Sequence, residues 1–466
     1  MNELDVRFVA EATGGRLIRN GIDVKIQGIC TNSRVLQPGE LFIPLRGPNF
    51  DGHDFLAQAA QLGAAACLSE EAVGGLPLPV VLVPDTLKAL GDLAAALRNR
   101  FNGPVVGITG TTGKTTTKEM LASILSRTGE GLKSAGNFNN LVGVPLTLFE
   151  LRPEQKWAVI ELGMSERGEI TRLTEIASPT IGLITNIGRA HLETLGGIEA
   201  VARAKGELFA NLPDCGTAIV NVDDEQVRRL PIANGVKRIT FGSLAEADVH
   251  AEQIAAGNGV VDFLLHLDGE QRRVRLPLPG RHNVMNALAA AAAAWVLEVD
   301  IDDIAAGLEA FVPCPGRMEL VRLANDILIL DDSYNANPLS VRAALDALHD
   351  MGRATRRIAL LGDMLELGTA AEDLHREVGR IAAGCVDQLL VFGQLAMEIG
   401  HGATEAGLAE ECVEAGEDHA AVAARLRELL QPGDRLLVKG SRAMQLEKVV
   451  GMLKSSMQDP STGGGG

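Results

Sequence analysis

The chain has 466 residues, enough for about three domains of about 150 residues each, and its 46% hydrophobic content can supply several buried cores. Its formal net charge of −17 argues against a broad nucleic-acid-binding surface, so an anionic ligand would have to be held by local groups. The six cysteines form no C-x-x-C pair, which excludes a common zinc pattern and is typical of reduced, mostly structural thiols in a cytoplasmic protein.

Residues 1–102 show the pattern of a small α/β domain without an apolar signal core at its start. Helices are predicted at 6–12, 55–62 and 89–100, and strands at 24–28, 40–45 and 80–83. Polar loops between the strands contain Ser33 and Arg34 in one case and Asn49 and His53 in the other. Such loops are usually connections, so the pattern alone leaves plain turns as the simpler interpretation.

The stretch 104–118 carries the strongest chemical signal. Residues 105–109 predict a buried strand, and an apolar helical pattern follows from about residue 114. The turn between them consists of Gly110, Thr111, Thr112, Gly113, Lys114, Thr115 and Thr116. A turn of this kind at a helix N-terminus is an anion site, because backbone N–H groups converge there and the helix dipole is positive. Lys114 would add charge at the outer phosphates, and the Thr115 hydroxyl would ligate Mg²⁺.

The strict phosphate-loop pattern has a glycine where this chain has Ile108, so a turn without a ligand is the alternative. Residues 103–312 alternate strands and helices, which predicts a largely parallel, doubly wound sheet. Glu161 ends the strand predicted at 157–162, and His191 follows the strand predicted at 181–187. Because ligands collect at the carboxyl ends of parallel strands, these two side chains could hold a divalent cation; each could also be an ordinary polar residue.

Lys205 lies on the apolar stripe of the helix predicted at 198–211, four residues after Val201 and three before Leu208. A lysine in that position either extends its amine past the stripe to water or works in a site. The spacing alone favours the first interpretation.

Residues 249–277 alternate as antiparallel strands do, and a helix follows that begins near His282 and Asn283, for which ordinary capping is an alternative explanation. Its alanine-rich run at 287–297 is too short to span a membrane. The Pro-Cys-Pro-Gly sequence at 313–316 predicts a domain boundary.

Residues 313–456 repeat the α/β rhythm, with strands predicted at 327–330, 358–361, 389–392 and 436–438. Two polar stretches, 331–338 and 439–442, follow predicted strands and are either ligand contacts or turns. Residues 457–466 end in Ser-Thr-Gly-Gly-Gly-Gly and are predicted to be a flexible tail.

Taken together, these stretches resemble the Mur ligases, a family of ATP-dependent enzymes that build the peptide of the bacterial cell-wall precursor. The phosphate loop, the Asn-Phe-Asn-Asn stretch at 137–140 and the sequences around residues 161, 191 and 205 carry the likeness. The resemblance implies a three-domain α/β architecture. A small N-terminal domain (1–102) would bind the UDP-muramoyl peptide, a central P-loop-type ATPase domain (103–312) would contain a mostly parallel sheet, and a C-terminal Rossmann-like domain (313–456) would follow.

The resemblance also implies roles for individual residues. Glu161 and His191 fall where the family binds Mg²⁺, and Lys205 falls where these ligases carry a carbamylated lysine. Further ATP contacts are implied at His282, Asn283, Arg317, Asp331, Asn335 and Asn337, and contacts with the UDP-linked substrate at Ser33, Arg34, Asn49 and His53.

Three stretches, 331–338, 361–368 and 439–442, are similar to the MurF type within the family. That type uses ATP and Mg²⁺ to join D-alanyl-D-alanine to UDP-N-acetylmuramoyl-tripeptide through an acyl phosphate. The resemblance implies a cytoplasmic protein, here expected to be a monomer, without a membrane span or nucleic-acid partner. Folylpolyglutamate synthetase, which shares the loop and general plan, is one alternative; a nucleotide switch or UDP-sugar-binding protein without ligase activity is another.

Overall fold

The computed structural model describes residues 4–18, 23–190, 192–257, 259–352 and 354–457. These residues form three α/β units in chain order, which confirms the predicted fold class. We call them the first, middle and last units, after the predicted ranges 1–102, 103–312 and 313–456, whose boundaries stay a prediction. The last helix includes Met457, and the rest of the predicted tail, 458–466, lies outside the described residues.

The described part of the first unit contains a five-stranded sheet in the order β2-β9-β8-β5-β4, in which only β2 is antiparallel to its neighbour. The strands of this unit, which also include the separate pairs β1-β3 and β6-β7, follow in chain order. They are β1 (Leu4–Asp5), β2 (Arg16–Leu17), β3 (Lys25–Ile26), β4 (Gly28–Cys30), β5 (Glu40–Phe42), β6 (Arg46–Gly47), β7 (Phe50–Asp51), β8 (Ala66–Ser69) and β9 (Val80–Leu82). Its α-helices are α1 (Val6–Thr13), α2 (Leu56–Gln61) and α3 (Thr86–Arg98). The predicted helices and strands are present with shifted ends, except that the strand predicted at 24–28 is replaced by two short strands, β3 paired with β1 and β4 paired with β5.

The middle unit is built on a sheet of nine described strands in the order β11-β12-β10-β13-β14-β15-β16-β17-β18. They are β10 (Val105–Thr109), β11 (Leu132–Lys133), β12 (Ala158–Glu161), β13 (Ile181–Ile184), β14 (Thr217–Asn221), β15 (Lys237–Gly242), β16 (Val249–Gly257), β17 (Val260–Leu267) and β18 (Glu270–Leu276). The helices are α4 (Lys114–Leu125), α5 (Gly143–Phe149), α6 (Glu169–Ala177), α7 (Leu192–Leu195), α8 (Ile198–Ala210), α9 (Glu225–Arg228), α10 (His282–Val296) and α11 (Ile301–Glu309).

The register of this sheet brings several strand ends together. β10 runs parallel to both β12 and β13, with Ile108 opposite Glu161 and Thr109 opposite Ile184. The strands from β11 to β16 pair in parallel, whereas β16, β17 and β18 pair antiparallel. The predicted parallel sheet with an antiparallel extension is therefore confirmed.

The last unit has a six-stranded described sheet, β19-β20-β24-β21-β22-β23, parallel except for β19. Its strands are β19 (Glu319–Arg322), β20 (Leu328–Asp331), β21 (Arg357–Gly362), β22 (Gln388–Phe392), β23 (Val413–Gly416) and β24 (Arg435–Lys439). Its helices are α12 (Pro338–Asp350), α13 (Ala371–Ala383), α14 (Ala396–Glu405), α15 (His419–Leu429) and α16 (Glu447–Met457). Short 3₁₀ turns occur in the first unit at Gly52–Phe55 and in the last unit at Ala324–Asp326, Gly368–Ala370, Glu410–Cys412 and Arg442–Met444.

Helix α10 lies at the centre of the middle unit. Its alanines from Ala289 to Ala294 are all fully buried, so the alanine-rich run that is too short for a membrane span forms a core helix. Among the described residues, no helix combines the length and the apolar character that crossing a bilayer requires. All six cysteines lie in the described ranges and are free thiols, as the sequence predicted.

Small residues also allow close helix packing beside the phosphate loop. Gly307 of α11 packs on α4 so tightly that an added Cβ would lie 2.5 Å from the Cα of Ile124. The Ser123 hydroxyl donates a 2.7 Å hydrogen bond to the Gly307 carbonyl and fixes the same contact. Since the clash would be with backbone, a side-chain rotation cannot relieve it.

We predict that Gly307→Ala lowers the free energy of unfolding by about 1–3 kcal/mol, because α11 must move away from α4. Gly451→Ala is the matched control: Gly451 is also inside a helix, but an added Cβ there would meet no described atom within 4 Å. That control should be neutral or stabilising by up to about 1 kcal/mol, since alanine is the better helix former. Urea denaturation measures both; equal effects at the two sites would contradict the packing argument.

Candidate active site

A cavity of about 1020 Å³ lies between the middle and last units, and residues from both form its wall. Most of the site residues predicted from sequence line it: Thr111, Thr112, Gly113, Lys114, Thr115, Thr116, Glu161, Lys205, His282, Asn283, Arg317, Asn335 and Asn337. These residues come from distant parts of the chain, so their convergence is a property of the fold.

The phosphate loop follows β10 and ends at Gly113, the N-cap of α4, whose φ of 79° is in the left-handed region that favours glycine. Gly110 is required for a steric reason, since an added Cβ would lie 1.9 Å from the Thr185 hydroxyl oxygen. Asn186, after β13, braces the loop: its carbonyl accepts from the Thr111 N–H at 2.9 Å, and its side-chain oxygen accepts from the Thr112 N–H at 3.0 Å.

Lys114 is held against the loop that precedes it. Its Nζ donates to the Gly110 carbonyl at 2.8 Å and to the Thr111 carbonyl at 3.3 Å. Burial lowers the pKa of this amine; Arg317 lowers the pKa further, and Glu161 opposes the shift. The loop therefore presents a desolvated cation together with the N-terminus of α4, an arrangement suited to the phosphates of a nucleotide.

Glu161 lies at the carboxyl end of β12 and is 2% exposed. One carboxylate oxygen accepts from the Thr115 hydroxyl at 2.8 Å, and the other accepts from the Asn139 amide at 2.9 Å. A carboxylate and a hydroxyl beside the phosphate loop are hard oxygen donors of the kind that Mg²⁺ prefers. The predicted partner, His191, lies outside the described residues.

Lys205 does not extend its side chain to water, as the helical spacing favoured: it is 1% exposed and lines the cavity. The physical reason is that the apolar stripe of α8 packs into the core along its whole length, including Val201 and Leu208. Burial, and secondarily the charge of Lys114, lowers the pKa of Lys205 well below its usual range. Of the two interpretations that the sequence left open, the structure therefore fits the one in which Lys205 belongs to a functional site.

His282 and Asn283 occupy the first turn of α10, where Arg281 is the N-cap residue. The pKa of His282 is lowered to about 4, chiefly by burial; Asp332 opposes the shift and Lys439 adds to it. Asn283 donates from its amide to the Pro279 carbonyl at 2.7 Å. His282 is thus a neutral ring at neutral pH, able to donate or accept a hydrogen bond in the cavity wall.

The two polar stretches of the last unit meet at the cavity. Lys439, at the end of β24, is 2% exposed; its Nζ pairs with Asp332 and donates to the Asn335 carbonyl at 2.8 Å. Asn337 caps α12, with its side-chain oxygen accepting from the Ser340 N–H at 2.9 Å. Asp331 is buried, accepts from the Ser333 N–H at 3.1 Å and lies outside the cavity wall, which its neighbour Asp332 joins.

Several wall residues were not singled out from the sequence. Asp332 and Lys439 lie inside the polar stretches 331–338 and 439–442, and the place of each stretch directly after a predicted strand was the available signal. Tyr334 stacks under the Arg317 guanidinium at 4.0 Å and lies 5.4 Å from that of Arg442, which fixes the direction of both cations. Asn186 begins the family-like sequence around residue 191, but no role was assigned to it from the sequence.

The predicted residues of the first unit lie outside the wall of this cavity. Ser33 is buried, whereas Arg34 and Asn49 are exposed. His53 is held by the carboxylate of Asp51, at 2.7 Å from its Nδ1, and accepts from the Glu70 N–H at 3.3 Å. Their role in binding a substrate stays a prediction.

Three family models match consecutive parts of the chain: "Mur ligase family, catalytic domain" at residues 25–98, "Mur ligase middle domain" at 108–294 and "Mur ligase, glutamate ligase domain" at 316–442. The chain is 40% identical to the UDP-N-acetylmuramoyl-tripeptide--D-alanyl-D-alanine ligase of Escherichia coli, over 94% of this chain and 95% of that protein.

Solved structures agree with these matches. MurF from Acinetobacter baumannii superposes with a TM-score of 0.91 at 35% identity, over 98% of this chain and 100% of that one. MurF from Thermotoga maritima, determined in complex with ADP, superposes with a TM-score of 0.82 at 28% identity, over 92% and 97%. The chain therefore belongs to the Mur ligase family, within its MurF type, and the cavity between its middle and last units is the candidate active site.

Proposed function

We propose that this protein is the ATP-dependent ligase that joins D-alanyl-D-alanine to UDP-N-acetylmuramoyl-tripeptide. The observation that carries the proposal is the convergence of the phosphate loop, Glu161 and Lys205 with Arg317 of the last unit in one cavity. The relatives at nearly full length bear the name of this activity, and a relative of the same type was solved with ADP. The products are the UDP-linked pentapeptide, ADP and phosphate.

The chemistry requires activation of a carboxylate, which is a poor acyl donor. Its oxygen attacks the γ-phosphorus of ATP, the bond to the β–γ bridging oxygen breaks, and an acyl phosphate forms with release of ADP. The amine of D-alanyl-D-alanine then attacks the acyl carbon, and phosphate leaves from the tetrahedral intermediate. Lys114 and the loop amides, together with Arg317 across the cavity, would neutralise charge on the phosphoryl group as it transfers.

Mg²⁺ fits the donor set in the middle unit. The Thr115 hydroxyl and the Glu161 carboxylate already lie in hydrogen-bond contact beside the loop, and the Asn139 amide orients that carboxylate. We infer that Thr115 and Glu161 hold the ion with His191. When bound, Mg²⁺ supplies charge neutralisation at the phosphate oxygens.

Carbamylation of Lys205 is consistent with its surroundings. Only a neutral amine adds CO₂, and burial beside Lys114 favours the neutral form of Lys205. The N–C bond that forms converts the neutral amine to an anionic carbamate with release of a proton, so an uncharged neighbour of Mg²⁺ becomes one that attracts it.

The remaining assignments follow from the same proposal. His282, Asn283, Asn335 and Asn337 would contact the nucleotide from the wall, with Asp331 supporting the loop that carries Asn335. Ser33, Arg34, Asn49 and His53 would contact the UDP-linked substrate on the first unit. The protein would act as a cytoplasmic monomer. The predicted domain boundary at 313–316 would act as a hinge and let the last unit close over bound ATP. Closure would exclude water from the acyl phosphate.

The first test is substrate specificity. Phosphate release should require ATP, UDP-N-acetylmuramoyl-tripeptide and D-alanyl-D-alanine together, because the acyl phosphate needs both an acid and an amine. A panel of shorter UDP-muramoyl peptides with single amino acids, and of folates with glutamate, supplies the controls. Equal turnover with any of these control substrates would contradict the proposed specificity. Phosphate release with no acceptor at all would favour a nucleotide switch.

The second test concerns the metal ligands. Thr115→Val removes the hydroxyl at constant volume and should raise the Mg²⁺ concentration for half-maximal activity by about tenfold or more, since a direct ligand is lost. Thr115→Ser keeps the hydroxyl and should stay close to wild type. A Mg²⁺ titration at saturating ATP makes the comparison; identical curves for the two variants would exclude Thr115 as a ligand.

The third test concerns Lys205. Lys205→Ala should lose most activity with the fold intact, and bicarbonate should not restore it. Wild-type protein depleted of CO₂ should lose activity and recover with bicarbonate, and ¹³C-bicarbonate should give a carbamate NMR signal that Lys205→Ala lacks. Lys88→Ala, at an exposed lysine of α3, is the control that should keep the signal. An active wild-type protein without that signal would refute the carbamate.

A further inference from the structure

A cluster of three side chains on the antiparallel part of the middle sheet has the composition of a metal site. His250 and Glu252 lie on β16, and His266 lies on β17. One potential ligand atom of each lies within 4.8 Å of the others, and this is the one such group of three found among the described residues. None of the three belongs to the described wall of the active-site cavity.

Strand register produces the cluster. His250 stands directly opposite His266, and Glu252 follows His250 by two residues, so all three side chains project from the same face of the sheet. The two imidazole rings are stacked with centroids 4.6 Å apart and planes 7° from parallel. The pairing becomes irregular directly after Glu252, at a bulge that includes Gln253 with a φ of 51°.

The hydrogen bonds leave ligand atoms available. His250 donates from Nδ1 to the Ala247 carbonyl at 3.2 Å, which leaves its Nε2 with a lone pair. Nε2 of His266 is buried and makes no hydrogen bond to the described residues; the Glu252 carboxylate lies 3.5 Å from it. A backbone carbonyl that fixes the tautomer of a histidine is the usual outer partner of a metal-binding imidazole.

The geometry points to a structural site for a divalent transition metal of the Zn²⁺ type, and we propose that His250, Glu252 and His266 bind such an ion. Two imidazoles and a carboxylate match the donors of Zn²⁺, with water completing a tetrahedron. Ligands of one ion lie at most about 4.2 Å apart at Zn–N bonds of about 2.1 Å, so binding requires the ligand atoms to move closer and the two stacked rings to turn their lone pairs toward the ion. The ion would clip β16 to β17 just before the bulge. Arg273 of β18, which stands opposite Leu264 of β17, donates to the Gln253 side-chain oxygen at 3.0 Å.

The test is Zn²⁺ titration of the full chain, without nucleotide and with its thiols kept reduced. Wild-type protein should bind one more Zn²⁺ per chain than His250→Gln/His266→Gln. Co²⁺ should give the visible absorption of a tetrahedral site in wild type only. Saturating Zn²⁺ should also raise the Tm of the wild type alone, because the ion binds the folded hairpin.

His401→Gln is the matched control, because His401 is an exposed histidine paired with one glutamate, Glu398, away from this hairpin. It should bind as many ions as wild type. Glu252→Gln, at an exposed carboxylate, keeps the test valid if the double variant does not fold; it should weaken the extra site by about 10-fold or more. Equal Zn²⁺ stoichiometry and affinity in wild type and the cluster variants would overturn the proposal.

Discussion

The active-site cavity depends on the charged side chains that are buried at the ends of the parallel strands. Lys114 and Lys205 are both desolvated; the charge of Lys114 helps to lower the pKa of Lys205, while the Glu161 carboxylate favours the charged form of Lys114. The Glu161 carboxylate with the cations Lys114 and Arg317 does not form a balanced set of charges in a region of low dielectric. A phosphate chain, or a carbamate on Lys205, would complete it. The site is therefore preorganised for anions, and that preorganisation is what phosphoryl transfer requires.

The fold holds this charge in place through rigid surroundings. Asn186 accepts a hydrogen bond from the phosphate loop and holds it in place. Gly110 allows the loop to pack against Thr185, with which any larger side chain would clash. Behind the loop, α4 packs on α11 at Gly307 and on the buried alanines of α10. One hydrophobic cluster continues from this region into the last unit, including Leu361 of β21 and Leu437 of β24. Arg317 and Lys439 are thereby presented to the cavity by a packed framework.

Local patterns carried much of the architecture. The β-branched run of β10 and the glycine-containing turn predict a strand, an anion site and a helix, because each depends on neighbouring residues. Element ends were less well predicted: α3 begins at Thr86, because Asp85 caps it through the Lys88 N–H at 2.8 Å, and β13 ends at Ile184. Those limits depend on single capping bonds and on where a neighbouring strand stops, which a periodic pattern does not specify.

The sequence by itself determined the fold class, the phosphate loop and, through resemblance, the family. Only the tertiary structure decided how deeply individual side chains are buried. Lys205 lay on an apolar stripe in either interpretation, but its amine is enclosed because other elements cover that stripe. His250 and His266 are sixteen residues apart and carried no signal until strand register placed them face to face. Helical spacing is set within one segment, whereas burial and register are set by segments that meet only when the chain folds.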